Sequence, residues 1–190
     1  MRELSLHILD LSENSISAGA TKIEIKIEEN LNKDILLISI KDNGKGMDAE
    51  MVKIIADPFI TSRTERKVGL GIPLLKAAAE ACNGWLRINS EVGIGTSVTV
   101  QFQHSHIDRV PLGNIVDTFI TLELGTNNVN WVFIYKMNDQ EVVIDDNEIK
   151  QTLDGVSLTE PSVIKFIRQL FEESINEVRS INQLATPGGA

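Results

Sequence analysis

A single cysteine, Cys82, stands among the 190 residues, so no intrachain disulfide can form and the chain is not a disulfide scaffold. No apolar run approaches the roughly 20 residues that a membrane-spanning helix needs. Glycine and proline follow no repeating spacing, which excludes a collagen-like chain, and no internal repeat or low-complexity tract occurs. Basic charge is scarce: 18 Lys and Arg stand against 27 Asp and Glu, a net charge of −9. The deficit is uneven, with −2 over residues 1–103 and −7 over residues 104–190. An acidic second half argues against binding to nucleic acid or to an anionic membrane, while the near-neutral first half leaves room for a local basic pocket around a polyphosphate. The opening segment MRELSLHILDL puts Asp10 where a secretory leader needs its apolar core. These absences together predict a soluble cytoplasmic protein in a reducing compartment.

What is present is ordinary globular material, 42% hydrophobic and 24% charged, enough for one core or for one domain with a small appendage. The charge shift near residue 104 marks a candidate boundary. Leu4, Ile8 and Leu11 recur at helical spacing, which predicts a helix over 2–19. Ile23, Ile25 and Ile27 alternate with charged residues, and Leu36, Ile38 and Ile40 repeat the pattern, so 21–28 and 35–41 read as an antiparallel hairpin. Short helices are expected at 49–55 and 72–82, and strands at 85–89 and 97–102. Beyond residue 104 the pattern predicts a helix over 111–124, a hairpin around Asn138-Asp139, and a long helix from Pro161 to about Ile181. Val163, Phe166, Ile167, Leu170 and Phe171 form the apolar stripe of that last helix.

Three glycine features occur in order: DNGKG at 42–46, GLG at 69–71 and GIGT at 93–96. Each alone is more often a turn than a ligand site. There is no GxxxxGK[ST] run, and the first feature lacks the third glycine and the strand–helix context of a dinucleotide fingerprint. Asp10 and Asn14 share a helix face at i, i+4; by themselves they would be a solvated polar pair. Arg63, Arg66 and Lys67 in isolation are a solvated loop. His104 and His106, followed by Asp108, lack a further ligand cluster and read as linker rather than metal site. His7 belongs to the first helix and is not read as a phosphoacceptor. Cys82 reads as a packed small hydrophobe, and Phe59 and Trp85 as wall or core.

Taken in order, these elements resemble the GHKL superfamily of gyrase, the large heat-shock chaperone, histidine kinases and the mismatch-repair protein MutL. LDLSENSISAGA resembles the N box, DNGKGM the first glycine box, DPF an F-box-like segment, GLGIPLLK the second glycine box and GIGT the third. The resemblance covers residues 1–103. It implies a Bergerat, histidine-kinase-like ATPase fold: a two-layer α/β sandwich with a mixed, mostly antiparallel sheet. A small α+β unit of unassigned role is expected over 104–190.

The resemblance also implies roles. Asp42 would accept a hydrogen bond from the adenine amino group, Gly44 and Gly46 would clear room for the ring, and Met47 would wall it. Thr96 would add a hydroxyl to the same pocket. Asn14 would offer its side-chain oxygen to Mg²⁺, and Gly69, Leu70 and Gly71 would present backbone N–H groups to the phosphates. Arg63 or Lys67, with Arg66 beside them, would reach the γ-phosphate. Asp10 stands where the MutL and gyrase branch typically carries a glutamate that orients the attacking water, and is one methylene shorter; Glu13 is its rival. ATP and Mg²⁺ are the implied cofactors, ATP and ADP the ligands. A histidine kinase would carry its phosphoacceptor helix before this region, so the expected activity is that of a kinase or ATPase acting on a separate partner, a redox or signalling protein. The alternative is an ATP-dependent regulatory module with little turnover, its 57–71 loop ordered by ATP.

Overall fold

The computed structural model describes residues 3–56, 71–126 and 128–184. In chain order it contains α1 (Leu4–Ser17), β1 (Lys22–Asn30), β2 (Ile35–Asp42), α2 (Ala49–Ala56), α3 (Gly71–Ala81), β3 (Trp85–Glu91), β4 (Gly95–Gln103), α4 (Ile115–Gly125), β5 (Asn130–Met137), β6 (Gln140–Asp145), α5 (Asp146–Thr152) and α6 (Pro161–Leu184). The strands form one six-stranded sheet in the order β3-β4-β2-β1-β5-β6. Only the β1–β5 pair is parallel; the other four pairs are antiparallel. The mixed, mostly antiparallel sheet expected from the sequence is therefore present.

Period-two patterning explains the layering. Ile23, Ile25 and Ile27 of β1 are fully buried, and in register they meet Asp42, Ile40 and Ile38 of β2. Val98, Val100 and Phe102 of β4 and Trp131, Phe133 and Tyr135 of β5 continue the same face, which the helices cover. The opposite face carries Lys26 and Lys136, each paired with Glu28. Among the described residues no helix is long and apolar enough to cross a membrane.

Among the described residues of 104–190, both strands, β5 and β6, belong to the common sheet. β5 lies alongside β1 at the centre of the common sheet, and its aromatic residues join the common core. Phe133 stacks on Phe119 of α4 at 4.3 Å between ring centroids and meets Phe171 of α6 edge-on at 5.2 Å. Glu29 of β1 ties the halves further: the Tyr135 hydroxyl donates to it at 2.6 Å, His104 Nε2 lies 2.9 Å away, and Arg179 of α6 approaches at 3.5 Å. Burial works against the Glu29 charge, yet the bonds from Tyr135 and His104, with Arg179 nearby, hold its carboxyl below the ordinary range.

Three details differ from the expected elements. The 111–124 helix begins at Ile115, because Pro111 and Leu112 are used otherwise: their carbonyls accept the backbone N–H groups of Leu4 and Ser5, the unpaired start of α1. On α6 the buried stripe is Val163, Ile167, Phe171, Ile175 and Val178; Phe166, a third of a turn round the helix, is 47% exposed. α5 was not expected, since its seven residues carry little apolar periodicity; Asp145 caps it by accepting from Asn147 N–H.

α5 brings a buried ionic group. Glu123 of α4 and Asp146 of α5 are 1% and 0% exposed, and Lys150 serves both: it bonds Asp146 Oδ2 and lies 3.8 Å from Glu123 Oε1. Burial, and then the Asp146 charge, push the Glu123 carboxyl from 4.5 up to about 7, with Lys150 pulling the other way. The folded protein therefore keeps a proton that the unfolded chain releases between these values. Stability should fall as pH rises from 4.5 to about 7, by on the order of 3 kcal/mol, and stay lower above. Glu123→Gln should flatten that slope in thermal unfolding and melt above wild type at pH 8; a slope unchanged by the substitution would assign it to other groups.

Candidate functional site

The helices and the sheet border a half-open cavity of about 290 Å³ beside α1, α2 and α3. Leu11, Met47, Met51, Ile55, Ile72 and Val98 give it apolar walls, and Asn14, Ser15, Asp42 and Thr96 give it polar edges. A larger hollow of about 500 Å³, bordered by Lys22, Glu24, Lys41 and Asn89, opens beside the ends of the same strands. The smaller cavity is the better candidate, because apolar walls and a few converging polar groups are what a ring-bearing ligand requires.

Asp42 organises the site. It is the last residue of β2, 9% exposed, and three segments converge on its carboxylate. Gly44 N–H donates to Oδ1 at 2.9 Å and Thr96 N–H donates to the same oxygen at 3.2 Å. The Ser15 hydroxyl donates to Oδ2 at 2.7 Å. A carboxylate accepts about four hydrogen bonds, so one position on Oδ2 has no donor among the described residues. Asn43 stabilises the loop from the other side: its Oδ1 accepts from Thr21 and Lys22 N–H, both at 2.9 Å. The DNG run is thus a strand end and an anchored turn, with the Asp turned inward and the Asn outward.

Two glycines are explained by close approach. A Cβ on Gly46 would stand 1.9 Å from the Glu91 carbonyl oxygen, and its φ is +64°. Its bareness lets the first glycine loop dock on the end of β3, and Gly46 also edges the cavity. Gly44 is likewise close-packed, its Cβ position lying 3.0 Å from Ala18. A Cβ on Gly71 would stand 1.8 Å from Asp10 Oδ2, so the Asp10 carboxylate lies directly against the first residue of α3.

Of the residues singled out in the sequence, Asn14, Asp42, Gly46, Met47 and Thr96 meet at the cavity. Asp10 and Gly71 meet each other beside it. Arg63, Arg66, Lys67, Gly69 and Leu70 lie outside the described residues, as do the DPF segment and most of the 57–71 loop. Glu13, the rival to Asp10, is exposed. His7 is buried on the core side of α1, and burial holds its imidazole below 6.5. His104 is taken up by Glu29. Ser15 was missed by the sequence reading. Its signal is a polar side chain four residues after Leu11 on the buried stripe of α1, where a hydroxyl needs a partner.

The family model described as histidine kinase-, DNA gyrase B-, and HSP90-like ATPase matches residues 2–106, just over half of the sequence, and the chain belongs to that family. The sensor histidine kinase YvrG of Bacillus subtilis is 29% identical over 98 residues, which covers 50% of this chain and 17% of that protein. The sensor protein kinase FleS of Pseudomonas aeruginosa is 37% identical over 93 residues, 49% of this chain and 23% of that one. The chain spans less than a quarter of the length of these curated relatives. A crystal structure of the N-terminal domain of a DNA repair protein has the same fold, with a TM-score of 0.52 and 16% identity over 76% of this chain and 52% of that chain.

The Ser15 bond is open to direct test. Ser15→Ala leaves a buried carboxylate oxygen short of a donor and should lower the unfolding free energy by about 1–3 kcal/mol. Denaturant titration measures it, and an unchanged midpoint would show that Asp42 does not depend on the hydroxyl.

Proposed function

We propose that the chain binds Mg²⁺-ATP and acts as a kinase or ATPase on a separate protein. The observation that carries this is the unfilled acceptor position on Asp42 Oδ2 at the base of an apolar-walled cavity of about 290 Å³. The exocyclic amino group of adenine is a donor of the kind that position lacks, and the flat apolar walls suit a purine. Thr96 adds a hydroxyl at the same edge and Met47 packs on the ring. Asn14 is exposed at the cavity rim and makes no side-chain hydrogen bond among the described residues, so its oxygen fits a hard cation that otherwise keeps phosphate and water ligands. When bound, Mg²⁺ supplies charge neutralisation at the phosphates. In this reading Gly69, Leu70 and Gly71 offer backbone N–H groups to the phosphates, and Arg63 or Lys67 balances the γ-phosphate charge. Asp10, four residues before Asn14 and against Gly71, takes the proton from the attacking water or hydroxyl.

Residues 1–103 carry the nucleotide chemistry in this proposal, and residues 104–190, net −7, carry the acidic surface that a protein partner meets. That charge disfavours nucleic acid and anionic membrane. A single buried cysteine fits a cytoplasmic setting, and a signalling or redox protein fits as the partner. One observation favours a second reading with little turnover: Asp10 is short, and its carboxylate rests on the first residue of α3. The protein is then a regulatory module that changes its binding surface with ATP.

Two measurements separate these readings. Asp42→Asn should weaken ATP binding in calorimetry by about tenfold or more, the scale of a lost hydrogen bond to a charged group; equal affinity would remove Asp42 from the base site. Asp10→Asn should abolish phosphate release while ATP binding persists. Turnover that survives the substitution would move the general base elsewhere, and a wild type without turnover in the presence of Mg²⁺ and partner would favour the regulatory module.

A further inference from the structure

Ser90 lies on β3 directly across from Thr96 of β4. It does not line the cavity, but it stands behind two residues that do, Met47 and Thr96. Its Oγ accepts the Met47 N–H at 2.8 Å, lies 2.9 Å from Thr96 Oγ1 and 3.0 Å from the Gly95 carbonyl oxygen. One hydroxyl thus joins the end of the first glycine loop to both residues that close the third.

A hydroxyl has one proton and two lone pairs. Met47 N–H is a fixed donor and the Gly95 carbonyl a fixed acceptor, so only the two hydroxyl protons are free to choose. In one setting Ser90 donates to Gly95 and accepts from Thr96. All four groups are then satisfied, and Thr96 shows the cavity lone pairs only. In the other setting Ser90 donates to Thr96, whose own proton becomes free to enter the cavity, and Gly95 gives up this bond. The first setting makes one more internal bond, so it is the resting one. A ligand acceptor beside Thr96 draws the pair into the second.

From this geometry we infer that Ser90 is a positioning residue for the base end of the nucleotide site. It holds Met47 in place and sets whether Thr96 meets the ligand as donor or acceptor. The inference rests on the nucleotide-binding reading above and deepens it, since it assigns a determinant of base recognition to a residue that does not touch the ligand.

Calorimetry with ATP on the full chain tests it through a double-mutant cycle of Ser90→Ala and Thr96→Val. Each single substitution should weaken ATP about three- to tenfold, and the double variant should be no more than about twofold weaker than the worse single one, because both remove the same relay. Ser90→Thr, which keeps the hydroxyl, should bind like wild type. Losses that simply multiply, or a Ser90→Ala protein that binds like wild type, would overturn the inference while leaving the nucleotide site intact. A wild type that binds no ATP would instead overturn the underlying reading, and this inference with it. Should Ser90→Ala fail to fold, Ser90→Cys keeps the volume and loses most of the hydrogen bonding; wild-type affinity there would equally refute the relay.

Discussion

The carboxylate of Asp42 is the point on which the architecture closes. Its three donors come from three places in the chain: Ser15 from the first helix, Gly44 from the loop that follows Asp42, and Thr96 from the start of β4. A buried carboxylate left short of donors costs several kcal/mol, so these segments are bound to one another as firmly as each is bound to Asp42. The cavity is a by-product of that convergence. The helix, the loop and the strand stop where the carboxylate holds them, and the space between them is walled by the apolar side chains they carry.

Around this point the rest of the molecule divides the work between periodicity and glycine. Alternating isoleucines keep β1 and β2 in a register that leaves Asp42 facing inward, opposite Ile23. A shift by one residue would place it on the solvent face with Lys41 turned in. Gly46 and Gly71 then admit contacts that any side chain would block: loop backbone against Glu91, and a carboxylate against a helix start. The family match over residues 2–106 follows these elements, while the likeness of fold to the DNA repair protein domain covers 76% of the chain and so reaches past them.

The local parts of this were legible in the sequence. The hairpin, the long helix and the glycine loops announce themselves through spacing over a few residues, and Asp42, Asn14 and Thr96 sit inside motifs whose order is informative. What was not legible is non-local. Nothing in the run Asn130–Met137 states that it pairs with β1 in parallel, a hundred residues away, and the charge shift near residue 104 gives no sign that the sheet continues across it. Ser15 and Ser90 were overlooked for the same reason. A serine is unremarkable until the group opposite it is known; Asp42 lies 27 residues from Ser15, and Met47 lies 43 residues from Ser90. Phe166 is apolar at workable spacing for the buried stripe, yet the stripe runs through Val163, Ile167, Phe171, Ile175 and Val178 and leaves Phe166 exposed.

The bonds from the start of α1 to the carbonyls of Pro111 and Leu112 have a consequence for biosynthesis. The first helix emerges from the ribosome long before the segment that completes its first turn, and β1 emerges with one edge open until β5 is made. A ribosome stalled before β5 is made therefore holds a strand edge with nothing yet alongside it.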